Sequence, residues 1–263
     1  MENKRIVVKV GTSTLTYENG KLNLRRFQHL CRVLSDLHNA GREIVLVSSG
    51  AVGVGLGKLG MEERPSSTPE KQALAALGQC ELMFMYDKTF GEYDNMVAQI
   101  LLTRNVIDDP TLRQNAFNTL ETLLKMKIIP VINENDSVAT DEIEGANFGD
   151  NDMLSAIVAR LVGADMLIIL TDIDGLFETN PRIDPYAKLL KRVATIDEDI
   201  KRMAGGTGSN RGTGGMSTKV AAAEIATKNG IQCCVLNGNN PDVLYELMDG
   251  HNPGTIFEAE QTK

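Results

Sequence analysis

At 263 residues, with 24% charged and 42% hydrophobic side chains, the chain is sized for one large domain or two small ones, and no low-complexity tract marks part of it for disorder. A net charge of −8 argues against a nucleic-acid or anionic-membrane surface, because such partners select clustered lysine and arginine. No apolar run approaches the length of a membrane span, and MENKRIVVKV lacks the apolar stretch of a signal peptide.

RIVVKV reads as the first strand. Leu24, Phe27, Leu30, Leu34 and Leu37 then recur at helical spacing up to Asn39, and Gly41 is a stop signal. EIVLVSS, MVAQILL and IIPVIN read as further strands, separated by helices over 69–90 and 110–127. Thr68-Pro69 and Asp109-Pro110 place an N-cap residue before a proline at the first helical position. The second half repeats the pattern: helix over 153–162, strand MLIILTD, helix over 218–228, strand IQCCVLN. Between 173 and 215 the periodicity loosens into loops, a short hairpin and a small helix. Strands this apolar are covered on both faces, which predicts an α/β fold with a mainly parallel sheet between helical layers. Cys31, Cys80, Cys233 and Cys234 form no C-x-x-C pair and read as core thiols of a cytoplasmic protein.

Ligands of such sheets bind beyond the carboxyl ends of the strands, and four polar loops lie there. Lys9 sits within VVKVGTS, where a buried ammonium needs an anion; the alternative is an edge strand with the lysine reaching water. The second strand ends in Ser48, Ser49 and Gly50. Beyond it Gly55, Gly57 and Gly60 match G-x-G-x-x-G, but too far past the strand for a dinucleotide fingerprint, and close helix packing on the sheet is the simpler reading. PVINENDSVAT and FGDNDMLSA are dense in amides and carboxylates, with Asn133, Asn135 and Asp136 after a strand and Asn151 and Asp152 at a helix start. These side chains suit a substrate ammonium group, or Mg2+ held through water. Thr171 and Asp172 end the MLIILTD strand. RGTGGMSTK precedes a helix, so its backbone donors and Lys219 form an anion site. It is not a Walker loop, because the hydroxyl precedes the lysine.

His29, His38 and His251 lie outside these loops, so a histidine base is not expected. A substrate carboxylate needs none, since its pKa of about 4 leaves it ionised at neutral pH. Phosphoryl transfer to such a group would run on positioning and charge neutralisation by lysines and Mg2+.

In chain order, VVKVGTS, VSSGAV, QILLTR, PVINENDSVAT, FGDNDMLSA, LTDIDGLF, NPR with its following DP, and GTGGMSTK resemble the motifs of the amino-acid kinase family, specifically of its glutamate-phosphorylating members. The likeness runs from Lys9 to Lys219 and continues loosely to GTIF. It implies a three-layer αβα sandwich around a mainly parallel sheet, as a single kinase domain over 1–263. Glutamate would be held toward the N-terminal half and ATP with Mg2+ toward the C-terminal half. By the same resemblance Lys9, Asp152 and Lys219 are the catalytic set, the lysines flanking the moving phosphoryl group and Asp152 orienting them. Ser49, Gly50, Asp136 and Asn151 match the glutamate site. Lys9, Thr171, Asp172, Thr213, Gly214, Gly215, Met216, Ser217, Thr218 and Lys219 match the nucleotide site, with no protein metal ligand assigned. The implied product is glutamyl 5-phosphate for proline synthesis, with a homo-oligomer, proline as feedback inhibitor and coupling to glutamyl-phosphate reductase. The chain stops at EAEQTK, so the PUA domain of many members is not expected, and oligomer arrangement and proline control follow less directly. Kinases for acetylglutamate, aspartate or carbamate are the neighbouring readings within the family. A non-catalytic nucleotide-binding regulator and a dinucleotide-dependent oxidoreductase are the readings outside it.

Overall fold

The computed structural model describes residues 4–61, 63–139, 151–205 and 215–260. The first half alternates β1 (Arg5–Val10), α1 (Thr12–Leu15), α2 (Leu24–Asn39), β2 (Glu43–Ser48), α3 (Ala51–Leu59), α4 (Thr68–Gly91), β3 (Val97–Leu102), α5 (Arg104–Asp108), α6 (Pro110–Lys125) and β4 (Ile129–Glu134). The second half adds α7 (Asn151–Leu161), β5 (Met166–Thr171), β6 (Arg192–Val193), α8 (Glu198–Ala204), α9 (Met216–Lys228), β7 (Gln232–Asn237), α10 (Val243–Met248) and β8 (Thr255–Phe257). One sheet carries the strands in the order β3-β4-β2-β1-β5-β7-β8-β6, and only the β7–β8 pairing is antiparallel.

Successive strand side chains point to opposite faces, and the core divides accordingly. Ile6, Val8 and Val10 of β1 pack with Phe27, Leu34, Tyr86 and Phe90 of α2 and α4. Val7, with Val45 and Val47 of β2, packs on the other face with Leu120 and Leu124 of α6 and the buried side of α7 and α9. This is the expected three-layer sandwich. Cys31, Cys233 and Cys234 are core thiols, and burial pushes the Cys234 pKa up to about 12. Cys80 is exposed, against the expectation of a core thiol, because it lines the open cavity beside α4 rather than the core.

Several local expectations shift by a residue or change partner. Asp109 caps α6 by accepting from the N–H groups of Thr111 and Leu112, as predicted. For α4 the cap is Ser67, which accepts from Glu70 N, and Thr68 is already helical. The run AVGVGLGKL forms a short helix whose glycines meet backbone. A Cβ at Gly55 would fall 2.1 Å from Leu74 O, and one at Gly57 would fall 2.5 Å from Gly20 C. The close packing expected of this helix is therefore present, but against α4 and a turn rather than the sheet.

Gly78 is the reciprocal contact on α4, since a Cβ there would lie 1.8 Å from Ala51 O. Gly78→Ala is expected to destabilise the fold by about 1–3 kcal/mol, although alanine is the better helix former by about 1 kcal/mol. Urea unfolding reads the sign directly, and an unchanged or raised midpoint would show that α3 moves away at no cost.

Candidate active site

Because β1, β2, β4 and β5 run parallel, their carboxyl ends share one edge of the sheet. The register aligns Lys9 with Val47 and Ile169, and Val10 with Ser48 and Leu170, so Ser49 and Thr171 follow on either side of β1. Lys9 is therefore on a central strand, and the edge-strand alternative fails. A Cβ at Gly11 would lie 3.6 Å from Lys9 Nζ and 3.9 Å from Leu170 O, so the ends of β1 and β5 meet at the ammonium group.

Lys9 Nζ is 2.6 Å from Asp152 Oδ1, and Lys219 Nζ is 3.0 Å from Asp152 Oδ2. Asp152 is 0% exposed and each lysine 5%, so three charged groups from β1, α7 and α9 are held in the interior. The Thr218 hydroxyl lies 2.9 Å from Asp152 Oδ2 and 2.8 Å from Gly215 O, and its single proton serves one acceptor at a time. Gly215 precedes α9, whose first turn adds the positive end of a helix dipole beside the lysines. No histidine joins this cluster; His29 pairs with Asp242 and His38 rests on the backbone oxygens of Arg42 and Lys127.

Burial opposes the charge on Asp152, but Lys9 and Lys219 outweigh it and hold its carboxyl below the ordinary aspartate value. A depressed folded pKa means the stabilisation is fully present above the unfolded value of about 3.9 and is lost as pH falls through the folded value. Urea unfolding midpoints of wild type and Asp152→Asn should differ at pH 7 and converge as pH falls from about 4 through the lower folded value. A difference that persists undiminished below that range would remove the lysine contacts as its source.

On the β2–β4 side, Gly50 adopts φ 97°, the left-handed region that favours glycine, and caps α3, so Ser49 and Gly50 turn the chain sharply at the end of β2. Ser48 contacts the Tyr86 hydroxyl at 2.8 Å, tying this turn to α4. A cavity of about 390 Å3 opens beside it, lined by Ala51, Gln79, Gln99, Glu134, Asn135 and Asp136 among others. Asp136 is thus placed at a ligand-sized space. Ser49, Gly50 and Asn151 do not line it; Asn151 is joined to it through Asn133 and Gln79. Gln79 also lines this cavity and belongs to none of the motifs. Its only sequence signal is the neighbouring mid-helix Gly78, which marks close approach of α4 to α3.

On the other side Thr171 ends β5 and bonds Asp172 at 3.3 Å, while Asp172 pairs with Arg182 of the NPR motif at 3.0 Å. Gly215, Met216, Ser217, Thr218 and Lys219 open α9, and Thr213 and Gly214 lie outside the described residues. Among the described residues no group of three or more His, Cys, Asp or Glu side chains forms a metal site, and no helix is long and apolar enough to cross a membrane.

The family model described as the amino acid kinase family matches residues 4–237. Among curated proteins, "Glutamate 5-kinase" of Clostridium perfringens is 56% identical over 261 residues, covering 99% of this chain and 97% of that protein. "Glutamate 5-kinase" of Listeria innocua is 52% identical over 259 residues, covering 98% of this chain and 94% of that protein. Among solved structures, UMP kinase from Bacillus anthracis superposes with a TM-score of 0.68 at 19% identity, covering 99% of this chain and 98% of its own. UMP kinase from Ureaplasma parvum gives 0.65 at 13% identity, covering 98% and 100%. At such identities the two structures speak to the fold alone.

Proposed function

The chain belongs to the amino acid kinase family, and from that premise we propose a division of its strand ends into a glutamate side and a nucleotide side, serving one phosphoryl transfer. The reaction is the one its relatives are named for: ATP-dependent phosphorylation of the 5-carboxylate of glutamate, which yields glutamyl 5-phosphate and leads to proline. A carboxylate oxygen attacks the γ-phosphorus, the bond to the β–γ bridging oxygen breaks, and ADP departs with the electron pair. No proton moves, in keeping with a lysine centre that holds no histidine.

The single observation that carries the assignment of roles is the convergence of Lys9 and Lys219 on Asp152 from opposite ends of the chain. Two ammonium groups fixed by one carboxylate are preorganised for a charge that grows on the transferring phosphoryl group and the leaving oxygen. Asp152 orients the lysines. The cavity beside Asp136 takes glutamate, with Ser49, Gly50 and Asn151 near its inner end, and a chain running from β5 to the first turn of α9 takes ATP. Proline would compete for the glutamate cavity, and a reductase would consume the acyl phosphate. Both Asp152 oxygens contact lysines, so the described residues fit Mg2+ carried on the nucleotide phosphates, where it would neutralise charge. The buried free thiols suit the cytoplasm.

Incubation with ATP, Mg2+ and hydroxylamine converts any acyl phosphate to a hydroxamate. Signal with glutamate, and little with acetylglutamate, aspartate or bicarbonate and ammonia, is the expected result. Absence of a glutamate-dependent signal would reject the assignment.

A further inference from the structure

The backbone N–H of Glu134 donates to Asn133 Oδ1 at 2.9 Å, and this bond fixes which end of the Asn133 amide accepts. Asn133 Nδ2 must then donate, and it reaches Gln79 Oε1 at 2.8 Å. Asn133 Oδ1 also receives Asn151 Nδ2 at 3.2 Å, so one peptide group sets the direction of three side-chain amides. Each amide has one accepting and one donating end. With its oxygen committed to Asn133, Gln79 has its Nε2 group left to offer. With its nitrogen committed, Asn151 has Oδ1, which is buried and has no hydrogen-bond partner among the described residues. A buried acceptor in that condition is destabilising unless a ligand supplies the donor.

Gln79 lines the 390 Å3 cavity together with the acidic side chains Glu134 and Asp136. Those carboxylates suit the ammonium group of an amino acid but repel its α-carboxylate, which needs a donor on the same wall. We propose that Gln79 reads the α-carboxylate of the amino-acid substrate through Nε2, while its Oε1 braces Asn133 and, through it, the Asn151 amide. Gln79 is then a specificity residue for the glutamate site, and the proposal rests on the glutamate reading above.

Two variants separate reading the substrate from bracing the relay. Gln79→Glu keeps an acceptor toward Asn133 but replaces the donor by an anionic oxygen; Gln79→Met removes both at similar length. Hydroxamate formation is measured with glutamate and with its α-amide, isoglutamine, alongside the KM for ATP. Gln79→Glu is expected to raise the glutamate KM by about 10–100-fold with the ATP KM unchanged, as loss of a charge-assisted hydrogen bond implies. It should also shift the glutamate-to-isoglutamine ratio of kcat/KM toward the amide by about tenfold or more, because an amide can donate to the new carboxylate. A silent Gln79→Glu beside a damaged Gln79→Met would make Gln79 a brace only and overturn the proposal. Should Gln79→Met fail to fold, the Gln79→Glu ratio decides alone. Wild type that makes no hydroxamate from glutamate would overturn the functional reading as well, a result distinct from active wild type with an unaltered Gln79→Glu.

Discussion

Asp152→Asn is expected to lower kcat by about 10³-fold and to destabilise the folded protein by roughly 3–5 kcal/mol at pH 7. Both effects have one cause. Asp152 is wholly buried and its two oxygens hold Lys9 and Lys219, so a neutral amide leaves two ammonium groups facing each other without their shared anion. Removing one partner from a buried ionic group costs more than the group contributes net, because the remaining charge is stranded out of water. ATP should restore part of the lost stability, since its phosphates replace the missing anion. Turnover assays with urea unfolding, each with and without nucleotide, test this. Turnover within tenfold of wild type would show that the lysines need no orienting carboxylate.

Lys219→Ala is expected to reduce kcat by about 10²–10³-fold while the fold survives. Here Asp152 keeps Lys9 at 2.6 Å, so no charge is left stranded and the structural penalty is smaller than for Asp152→Asn. The loss should fall on kcat rather than on the glutamate KM, because the ammonium acts on charge that develops during transfer. Lys219→Arg should rescue little, since a planar guanidinium cannot take the place of a compact ammonium between Asp152 and a phosphoryl group. Circular dichroism establishes the fold, and a rise in the glutamate KM alone would move Lys219 to substrate binding.

The pair also shows how much of the site was legible beforehand. Lys9 stood out because an ammonium in an apolar strand needs an anion, and Lys219 because it follows a glycine-rich loop before a helix. Neither signal named Asp152 as their common partner; that came from the family resemblance, and in the structure both Asp152 oxygens contact the lysines. Asp136, which lines the cavity, stood out through the density of polar residues after β4. Gln79 was invisible, since a glutamine within a helix has no pattern of its own until the helix is placed. The cap of α4 moved from Thr68 to Ser67 because both residues can cap and only the backbone decides where the helix begins.

The sequence by itself determined the layered α/β fold, because β-branched runs alternating with amphipathic helices leave few ways to bury both sheet faces. It also marked which strand ends are polar, since residues there break the apolar pattern. Tertiary structure alone decided strand order, the antiparallel β8, and the direction of the amides at Gln79, Asn133 and Asn151. The reason is that local periodicity records which face of an element is buried. Which neighbour buries it, and which end of an amide meets which partner, depend on groups distant in sequence.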